Sequence, residues 1–160
     1  MQDMKYNEIN KFESKRHEAL MGVWWGGLML KKAAREYFKD QPLTETQFNV
    51  LVVLEMAKTE LTQRDLSDRL LVDKSNLTGL VDRMVKNGII VRKSVEGDRR
   101  CNVIEITTKG LKALAKAKPG YEALVKKIMS VFSDEETAEL TKFMLKLHGG
   151  LDASNVEANN

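Results

Sequence analysis

The stretch of sequence that decides the fold runs from Leu61 to Ile106 and reads LTQRDLSDRL LVDKSNLTGL VDRMVKNGII VRKSVEGDRR CNVIEI. Its apolar residues recur first at intervals of three or four, as in an amphipathic helix, and after Gly88 at intervals of two, as in a strand. The first part predicts two short helices joined by a turn at Leu71-Val72, and the second predicts a β-hairpin. A helix-turn-helix followed by a two-stranded wing is therefore the predicted centre of the molecule.

Capping signals set the ends of the two helices. Thr62 is the predicted N-cap of a helix over residues 63–70, and Asp73 is the predicted cap of the next helix. Asn87-Gly88 closes this second helix, because both residues tolerate the left-handed conformation that a C-terminal cap needs. The apolar residues predicted to face inward from the two helices are Leu66, Leu70, Leu77, Leu80, Val81 and Met84.

The wing is predicted from two β-branched runs, residues 89–94 and residues 101–106. Between them, residues 95–100 carry two arginines and two acidic residues. They form the charged tip of the predicted hairpin.

Helices are also predicted on both sides of this centre. Before it, an amphipathic helix runs from Ile9 to near Lys39, and a capping box at Thr44 and Gln47 starts a helix of about a dozen residues.

Two helices are predicted after the wing. One begins at Thr107-Thr108, is kinked or interrupted at Pro119-Gly120, and resumes from Tyr121 to Phe132. The last helix begins in the box Ser133–Glu136 and ends at Gly149-Gly150.

The composition excludes several classes of protein. Of the 160 residues 42% are apolar and 31% are charged, and the one cysteine is Cys101. A single cysteine cannot form an internal disulfide or a cysteine zinc cluster, and it suits a reducing compartment. The longest apolar run, residues 21–30, is shorter than the roughly 20 residues of a membrane-spanning helix, and the N-terminus does not resemble a signal peptide. We therefore expect a cytoplasmic protein without a membrane partner.

Catalytic and metal-binding patterns are absent from the sequence. No Gly-rich phosphate loop, Ser-His-Asp order, HExxH helix or pair of catalytic carboxylates can be identified, so the protein is not expected to be an enzyme. The two histidines, His17 and His148, lie far apart and have no cysteine partners. Neither a metal nor a cofactor is therefore expected.

The net charge of +3 is concentrated in one part of the chain. Residues 73–100 hold seven basic and four acidic residues, and the remaining chain holds 19 of each. The formal excess therefore falls on the second helix of the helix-turn-helix and on the wing, where it can neutralise DNA phosphates.

The polar face of that second helix has the chemistry of a DNA reader. A helix in this position lies in the major groove and reads base edges with residues near its N-terminus, while the preceding helix contacts the backbone. The predicted contacts of the two helices are Thr62, Gln63, Lys74, Ser75, Asn76, Thr78 and Arg83. For Thr62 and Asp73 helix capping is the stronger interpretation, and Asp82 is interpreted as a neutralising surface charge.

Three stretches in chain order, residues 61–66, residues 72–78 and Gly97-Asp98-Arg99-Arg100, resemble the MarR family of transcription regulators. Leu43–Phe48 and Ile106–Gly110 fit the family's second helix and wing exit, whereas Trp24-Trp25-Gly26-Gly27 matches no signature of the family. The resemblance implies a winged helix-turn-helix, mainly α with a small β-hairpin. It also implies that Arg100 enters the minor groove, that Asp98 orients Arg100, and that Arg99 contacts phosphate.

The resemblance further implies a homodimer formed by the first helix and the last two helices. Their long apolar stripes independently favour a partner, because a thin domain cannot cover them alone. A two-fold dimer reads a pseudo-palindromic site in double-stranded DNA, with half-sites about 10 base pairs apart. The expected parts, within one structural domain, are an N-terminal dimerisation helix in residues 1–42, the winged helix-turn-helix in 43–110, C-terminal dimerisation helices in 111–150 and a disordered tail in 151–160.

The resemblance and linkage together indicate a repressor that is released by a small molecule. A small apolar or aromatic effector would bind a cavity lined by Trp24, Trp25, Phe48, Leu51 and Met56, and packing in the core or the dimer interface is the alternative for these residues. Two other functions stay open. One is a regulator of the same fold that responds to oxidation of Cys101 or to its own abundance, and the other is a winged-helix module that binds a protein.

We expect Arg100→Ala to weaken operator binding and to lower the slope of log affinity against log salt concentration, since an arginine in the minor groove lies between phosphates and releases counterions, and each neutralised phosphate adds about 0.9 to that slope. Fluorescence anisotropy at several salt concentrations measures both quantities. An unchanged affinity and slope would show that the wing assignment is wrong.

Overall fold

The computed structural model describes residues 12, 14–95 and 98–158 of the protein, with side chains for residues 12, 14–94 and 102–152. Within these residues six helices and three strands form, which confirms the predicted fold class. In chain order they are α1 (Lys15–Phe38), α2 (Glu45–Met56), β1 (Leu61–Thr62), α3 (Gln63–Leu70), α4 (Lys74–Lys86), β2 (Ile90–Val95), β3 (Asp98–Ile106), α5 (Thr108–Met129) and α6 (Asp134–Ala158).

The chain divides into two compact units between Ala117 and Lys118. The first unit contains the described elements from α1 to the first part of α5, and the second contains the remainder of α5 together with α6. The division of the chain by role that the sequence suggests stays a prediction.

Helices α3 and α4 are the predicted helix-turn-helix. Helix α3 has the predicted bounds, and its N-cap Thr62 forms a capping box with Asp65. In the turn, Leu71 takes a left-handed conformation with φ of 51° and leaves its side chain 91% exposed. This conformation costs a leucine about 1–2 kcal/mol, so the turn carries backbone strain immediately before α4.

Helix α4 buries an apolar stripe of Leu77, Val81 and Met84, each with no exposed surface. Asp73 stands at the N-cap position, but its side chain makes no capping hydrogen bond, so the prediction that it caps the helix is wrong in that respect. At the other end Gly88 takes a φ of 67°. This is the left-handed conformation expected of the closing glycine. Leu70 and Leu80, which were expected to face inward, are only half-buried.

The wing belongs to a sheet of three strands in the order β1-β3-β2, rather than two. Leu61 pairs with Ile104 and Thr62 with Val103, so β1 adds to the edge of β3 that faces away from β2. A strand of two residues is too short to show a period of two, which is why the sequence pattern missed it. Strand β3 also starts earlier than predicted, at Asp98.

Helices α1 and α2 meet in the core of the first unit. The rings of Phe38 and Phe48 lie 5.1 Å apart between centroids. A capping box of Thr44 and Gln47 starts α2, as predicted. Helix α1 ends at Phe38, close to the predicted end at Lys39, whereas its predicted start at Ile9 lies outside the described residues.

The C-terminal helices continue through a proline and a pair of glycines that were expected to interrupt or end them. Helix α5 continues through Pro119, which removes one N–H from the helix but does not interrupt it. Leu114 and Ala117 are buried just before the proline and hold the helix in place there. The expected interruption at Pro119-Gly120 is therefore wrong.

Helix α6 starts at the predicted box, where the backbone N–H of Ser133 donates to Glu136 and the backbone N–H of Glu136 donates to the Ser133 hydroxyl. It then runs through Gly149-Gly150 to Ala158. The predicted end at these glycines and the predicted disorder of residues 151–158 are therefore wrong. Each glycine costs a helix only about 1 kcal/mol relative to alanine, and no proline follows to stop it.

We expect Gly110→Ala to destabilise the protein by about 1–3 kcal/mol, the usual cost of an overpacked site. Gly110 is buried where α5 leaves the wing, and a Cβ there would collide with the carbonyl oxygen of Ile89 and a methyl group of Ile106. Denaturant unfolding followed by circular dichroism measures the change. Gly79→Ala in α4 is the matched control, because its Cβ would meet only Arg83 Nη1 at 3.4 Å. Equal stability of the two variants would contradict the close packing at Gly110.

Candidate nucleic-acid interface

The exposed face of α4 carries the polar side chains that the sequence predicts to read DNA. Lys74, Ser75, Asn76, Thr78 and Arg83 are all exposed; Lys74 begins the helix, and the other four lie away from the buried stripe. A helix turns about 100° per residue, so the spacing of the apolar residues by itself turns those four to solvent.

These exposed side chains differ in whether another group already engages them. The side chains of Ser75 and Asn76 make no hydrogen bond to another described residue. In contrast, the Thr78 hydroxyl accepts from Gln63 Nε2 at 2.7 Å and donates to the carbonyl oxygen of Lys74 at 2.8 Å. Ser75 and Asn76 can therefore bind a base edge without first losing an internal contact, whereas Thr78 cannot.

Thr62 is engaged in the same way. Its backbone N–H donates to Asp65 Oδ2 at 2.8 Å, its hydroxyl donates to the same oxygen at 2.7 Å, and the backbone N–H of Asp65 donates back to the hydroxyl. These bonds support the interpretation of Thr62 as a helix cap. The hydrogen bonds from the Thr62 hydroxyl and backbone hold the pKa of the Asp65 carboxyl below its usual value.

The basic side chains of the region fall into two groups. Arg92 Nη2 lies 2.6 Å from Asp82 Oδ1, and Lys93 Nζ lies 2.6 Å from Glu105 Oε2. On α4, the cations Lys74, Arg83 and Lys86 form no ion pair with another described residue. Among the described side chains of residues 73–100, the cations that form no ion pair with another described residue are therefore those of α4.

Arg92 and its pairing with Asp82 were not identified as a site from the sequence. A signal was present, because Arg92 follows the buried Ile90 by two positions and so lies on the same face of β2. That face packs toward α4, on which Asp82 is exposed. The alternation of side chains along a strand identifies the face of β2 on which Arg92 lies. Which residue Arg92 pairs with depends on how the helix and the strand pack.

The wing residues that the resemblance singles out lie in β3. The backbone of Asp98, Arg99, Arg100 and Cys101 is part of that strand. Their side chains lie outside the described side chains, so the expected roles of Asp98, Arg99 and Arg100 in DNA contact, and of Cys101 in oxidation, stay predictions.

The five residues predicted to line an effector cavity do not share one environment. Phe48 and Leu51 are buried in the core, whereas Trp24 is 65% exposed, Trp25 38% exposed and Met56 75% exposed. A pocket of about 290 Å³ lies beside α4 and is lined by Thr46, Val72, Asn76, Leu77, Leu80 and Arg83. It includes none of the five predicted residues, and their role in effector binding stays a prediction.

No group of three or more His, Cys, Asp or Glu side chains within the described part of the chain is arranged to hold a metal ion. None of the described helices has a stretch apolar and long enough to cross a membrane.

A helix-turn-helix with a hairpin wing and a polar second helix defines the class of winged-helix proteins. The MarR family matches residues 41–100 of the chain. YetL, a transcriptional repressor of Bacillus subtilis (strain 168), is 33% identical over 109 residues, which are 68% of this chain and 65% of YetL. MhqR, a transcriptional regulator of the same organism, is 30% identical over 111 residues, 69% of this chain and 74% of MhqR. The chain belongs to the MarR family and spans about two thirds of the length of these relatives.

Solved structures of the family have the same fold. AbsC of Streptomyces coelicolor has a TM-score of 0.80 at 20% identity, covering 90% of this chain and 99% of AbsC. MosR of M. tuberculosis, solved in complex with DNA, has a TM-score of 0.71 at 25% identity, covering 85% and 97%. The organohalide-sensing regulator RdhR, solved with 2,4-dichlorophenol, has a TM-score of 0.71 at 24% identity, covering 88% and 85%.

We expect part of the folding stability to be lost in acid through Asp65. Because its pKa is lowered in the folded protein, the carboxylate stabilises the fold above the unfolded pKa of about 3.9, and this contribution disappears as the pH falls through the folded pKa. Urea unfolding from pH 7 to pH 2.5 measures it. We expect Asp65→Asn to reduce the fall of the free energy of unfolding at acid pH. The control is Asp68→Asn, which removes an exposed carboxyl of α3 that lies outside the capping box. If both variants change the pH profile equally, the capping box is not its source.

Proposed function

We propose that the protein is a dimeric transcription regulator that binds double-stranded DNA in a sequence-specific manner. The observation that carries this proposal is the N-terminal part of α4, where the side chains of Lys74, Ser75 and Asn76 are exposed and form no hydrogen bond or ion pair with another described residue. Membership of a family whose relatives are named as transcriptional regulators supports the same conclusion and argues against an enzyme.

The roles of these side chains follow from their chemistry. An asparagine amide can bond to both N6 and N7 of adenine in the major groove, so Asn76 is our first choice for base recognition. Lys74 and Arg83 bind phosphate, and Ser75 bonds to a base or to phosphate. On the wing, Arg100 enters the minor groove, Asp98 orients it and Arg99 binds phosphate, as the family resemblance implies.

We infer a homodimer from apolar surface on the long helices. On α1 the side chains of Leu20, Trp24 and Leu28 are 55%, 65% and 49% exposed, and on α6 those of Phe143 and Leu151 are 61% and 53% exposed. Large exposed apolar patches are uncommon on monomers, so a second copy that covers them is favoured. The operator of a two-fold dimer is pseudo-palindromic, with half-sites about 10 base pairs apart.

We further propose that the regulator is a repressor that a small apolar or aromatic molecule releases in the cytoplasm. YetL is named as a repressor, and RdhR was solved with a chlorinated phenol. A ligand releases DNA only if it binds the DNA-free conformation more tightly than the DNA-bound one. Of the residues predicted for its cavity, Trp24, Trp25 and Met56 are accessible, whereas Phe48 and Leu51 become accessible only if the core opens.

Fluorescence anisotropy against the upstream DNA of the protein's own gene and against a scrambled duplex tests the proposal. We expect salt-sensitive binding that prefers the upstream DNA. Asn76→Ala should remove about 1–3 kcal/mol of that preference, and Lys74→Ala should lower the salt slope by about 0.9 for each lost phosphate contact. Lys112→Ala is the charge-matched control, because this exposed lysine lies on α5 outside the candidate interface.

Two outcomes would contradict the proposal. If both duplexes bind equally and weakly, the protein does not recognise the sequence of this upstream DNA. A selection from genomic fragments then decides whether it prefers any other site. Affinity that does not fall with salt points instead to a protein partner. If a Cys101→Ser protein still responds to oxidant, the alternative of a regulator controlled by oxidation of Cys101 is excluded.

A further inference from the structure

Four side chains from three elements form a continuous chain of hydrogen bonds between the wing and α4. Arg92 on β2 donates from Nη2 to Asp82 Oδ1 at 2.6 Å and to Gln63 Oε1 at 3.1 Å. Gln63, the first residue of α3, donates from Nε2 to Thr78 Oγ1 at 2.7 Å. We call Asp82, Arg92, Gln63 and Thr78 the relay.

The relay has one direction of donation. Arginine can only donate, so the oxygen of the Gln63 amide must face Arg92 and its nitrogen must face Thr78. The Thr78 hydroxyl accepts from Gln63 and gives its own proton to the carbonyl oxygen of Lys74. A flipped amide would set N–H groups of Gln63 and Arg92 against each other, so one arrangement satisfies all four side chains.

Local structure brings each member to its place. Thr78 and Asp82 are four residues apart on α4 and therefore lie about 40° apart around the helix axis. Arg92 lies on the face of β2 that carries the buried Ile90. Gln63 follows the N-cap Thr62, which the capping box and the pairing of β1 with β3 both hold.

The relay occupies one flank of the polar face of α4. By the same helical arithmetic Asn76 and Arg83 lie on the other flank, more than a quarter turn from Thr78. The side chains that tie α4 to the wing are thus separate from the side chain proposed to read bases.

We propose that the relay sets the position of the wing relative to α4, so that Gln63 and Arg92 are positioning residues for DNA reading and not DNA contacts. This inference rests on the proposed function. It replaces the expectation that Gln63 and Thr78 touch DNA, and it gives Asp82 the role of an acceptor for Arg92 in place of a neutralising surface charge.

A positioning role for Arg92 and a direct contact of Arg92 with phosphate predict different effects on the salt dependence of DNA binding. Asp82 already offsets the charge of Arg92, whose side chain is 32% exposed. Removing Arg92 therefore changes affinity without removing a phosphate contact, and the salt slope stays constant. Lysine retains the charge but lacks the planar guanidinium group that donates to both Asp82 and Gln63, so it cannot replace arginine in the relay.

The test compares Arg92→Lys, Arg92→Ala, Gln63→Ala and the double variant Gln63→Ala/Arg92→Ala by anisotropy over a range of salt. We expect both Arg92 variants to lose about tenfold in affinity for the specific duplex with an unchanged salt slope. Gln63→Ala should lose a similar factor, and the double variant should lose little more than either single one. Thr78→Ser retains a hydroxyl and should restore most of the affinity that Thr78→Val loses.

The matched control is Lys93→Ala combined with Gln63→Ala. Lys93 is the neighbouring cation on the opposite face of β2 and pairs with Glu105 instead of with the relay. The changes in DNA-binding free energy caused by these two substitutions should therefore add, whatever the size of the change caused by Lys93→Ala.

Two results overturn the inference in distinguishable ways. If Arg92→Lys retains affinity while Arg92→Ala lowers the salt slope by about 0.9 per contact, Arg92 binds phosphate and the proposed function stands without the positioning role. If the wild-type protein prefers no duplex, the proposed function fails and the inference fails with it. Hydrogen exchange without DNA gives a separate measure, since Gln63→Ala should speed exchange of β2 amides in the free protein, and unchanged exchange would also contradict the relay.

Discussion

The pairing of β1 with β3 is the contact on which the arrangement of the helix-turn-helix and the wing depends. Leu61 and Thr62 pair with Ile104 and Val103, and Leu61 is buried. A two-stranded hairpin is only marginally stable in water, so a third strand and a covering helix are needed to hold the wing. Thr62 then caps α3, which means that one residue joins the sheet and also starts the first helix of the helix-turn-helix.

The same arrangement decides how the positive charge of the region is used. A count of residues assigns a formal excess of positive charge to residues 73–100, but it does not show which of the cations are paired with a carboxylate. In the folded chain, Arg92 and Lys93 point to opposite faces of β2 and each meets a carboxylate, Asp82 on one face and Glu105 on the other. Within residues 73–100, the described cations that form no ion pair with another described residue are therefore those of α4, beside the polar groups proposed to read sequence.

The sequence predicted those features whose cause is local. The start of α3 followed from the N-cap Thr62 and the starts of α2 and α6 from capping boxes, because a cap and its partner lie within one turn of each other. The continuity of α5 through Pro119 and of α6 through Gly149-Gly150 was missed for the opposite reason. A proline or a pair of glycines carries a local cost of about 1–3 kcal/mol, and the rest of a long helix can offset it.

The sequence by itself determined the family, the order of helix, turn, helix and wing, and the polar face of α4, since each follows from periodicity and from neighbouring residues. Tertiary structure alone decided which polar side chains on that face are engaged. Gln63 lies 15 residues from Thr78 and 29 from Arg92, and these three meet only because α3 and β2 both pack against α4. Hydrogen bonds depend on distances of a few tenths of an ångström, which follow from the packing of whole elements and not from any pattern along the chain.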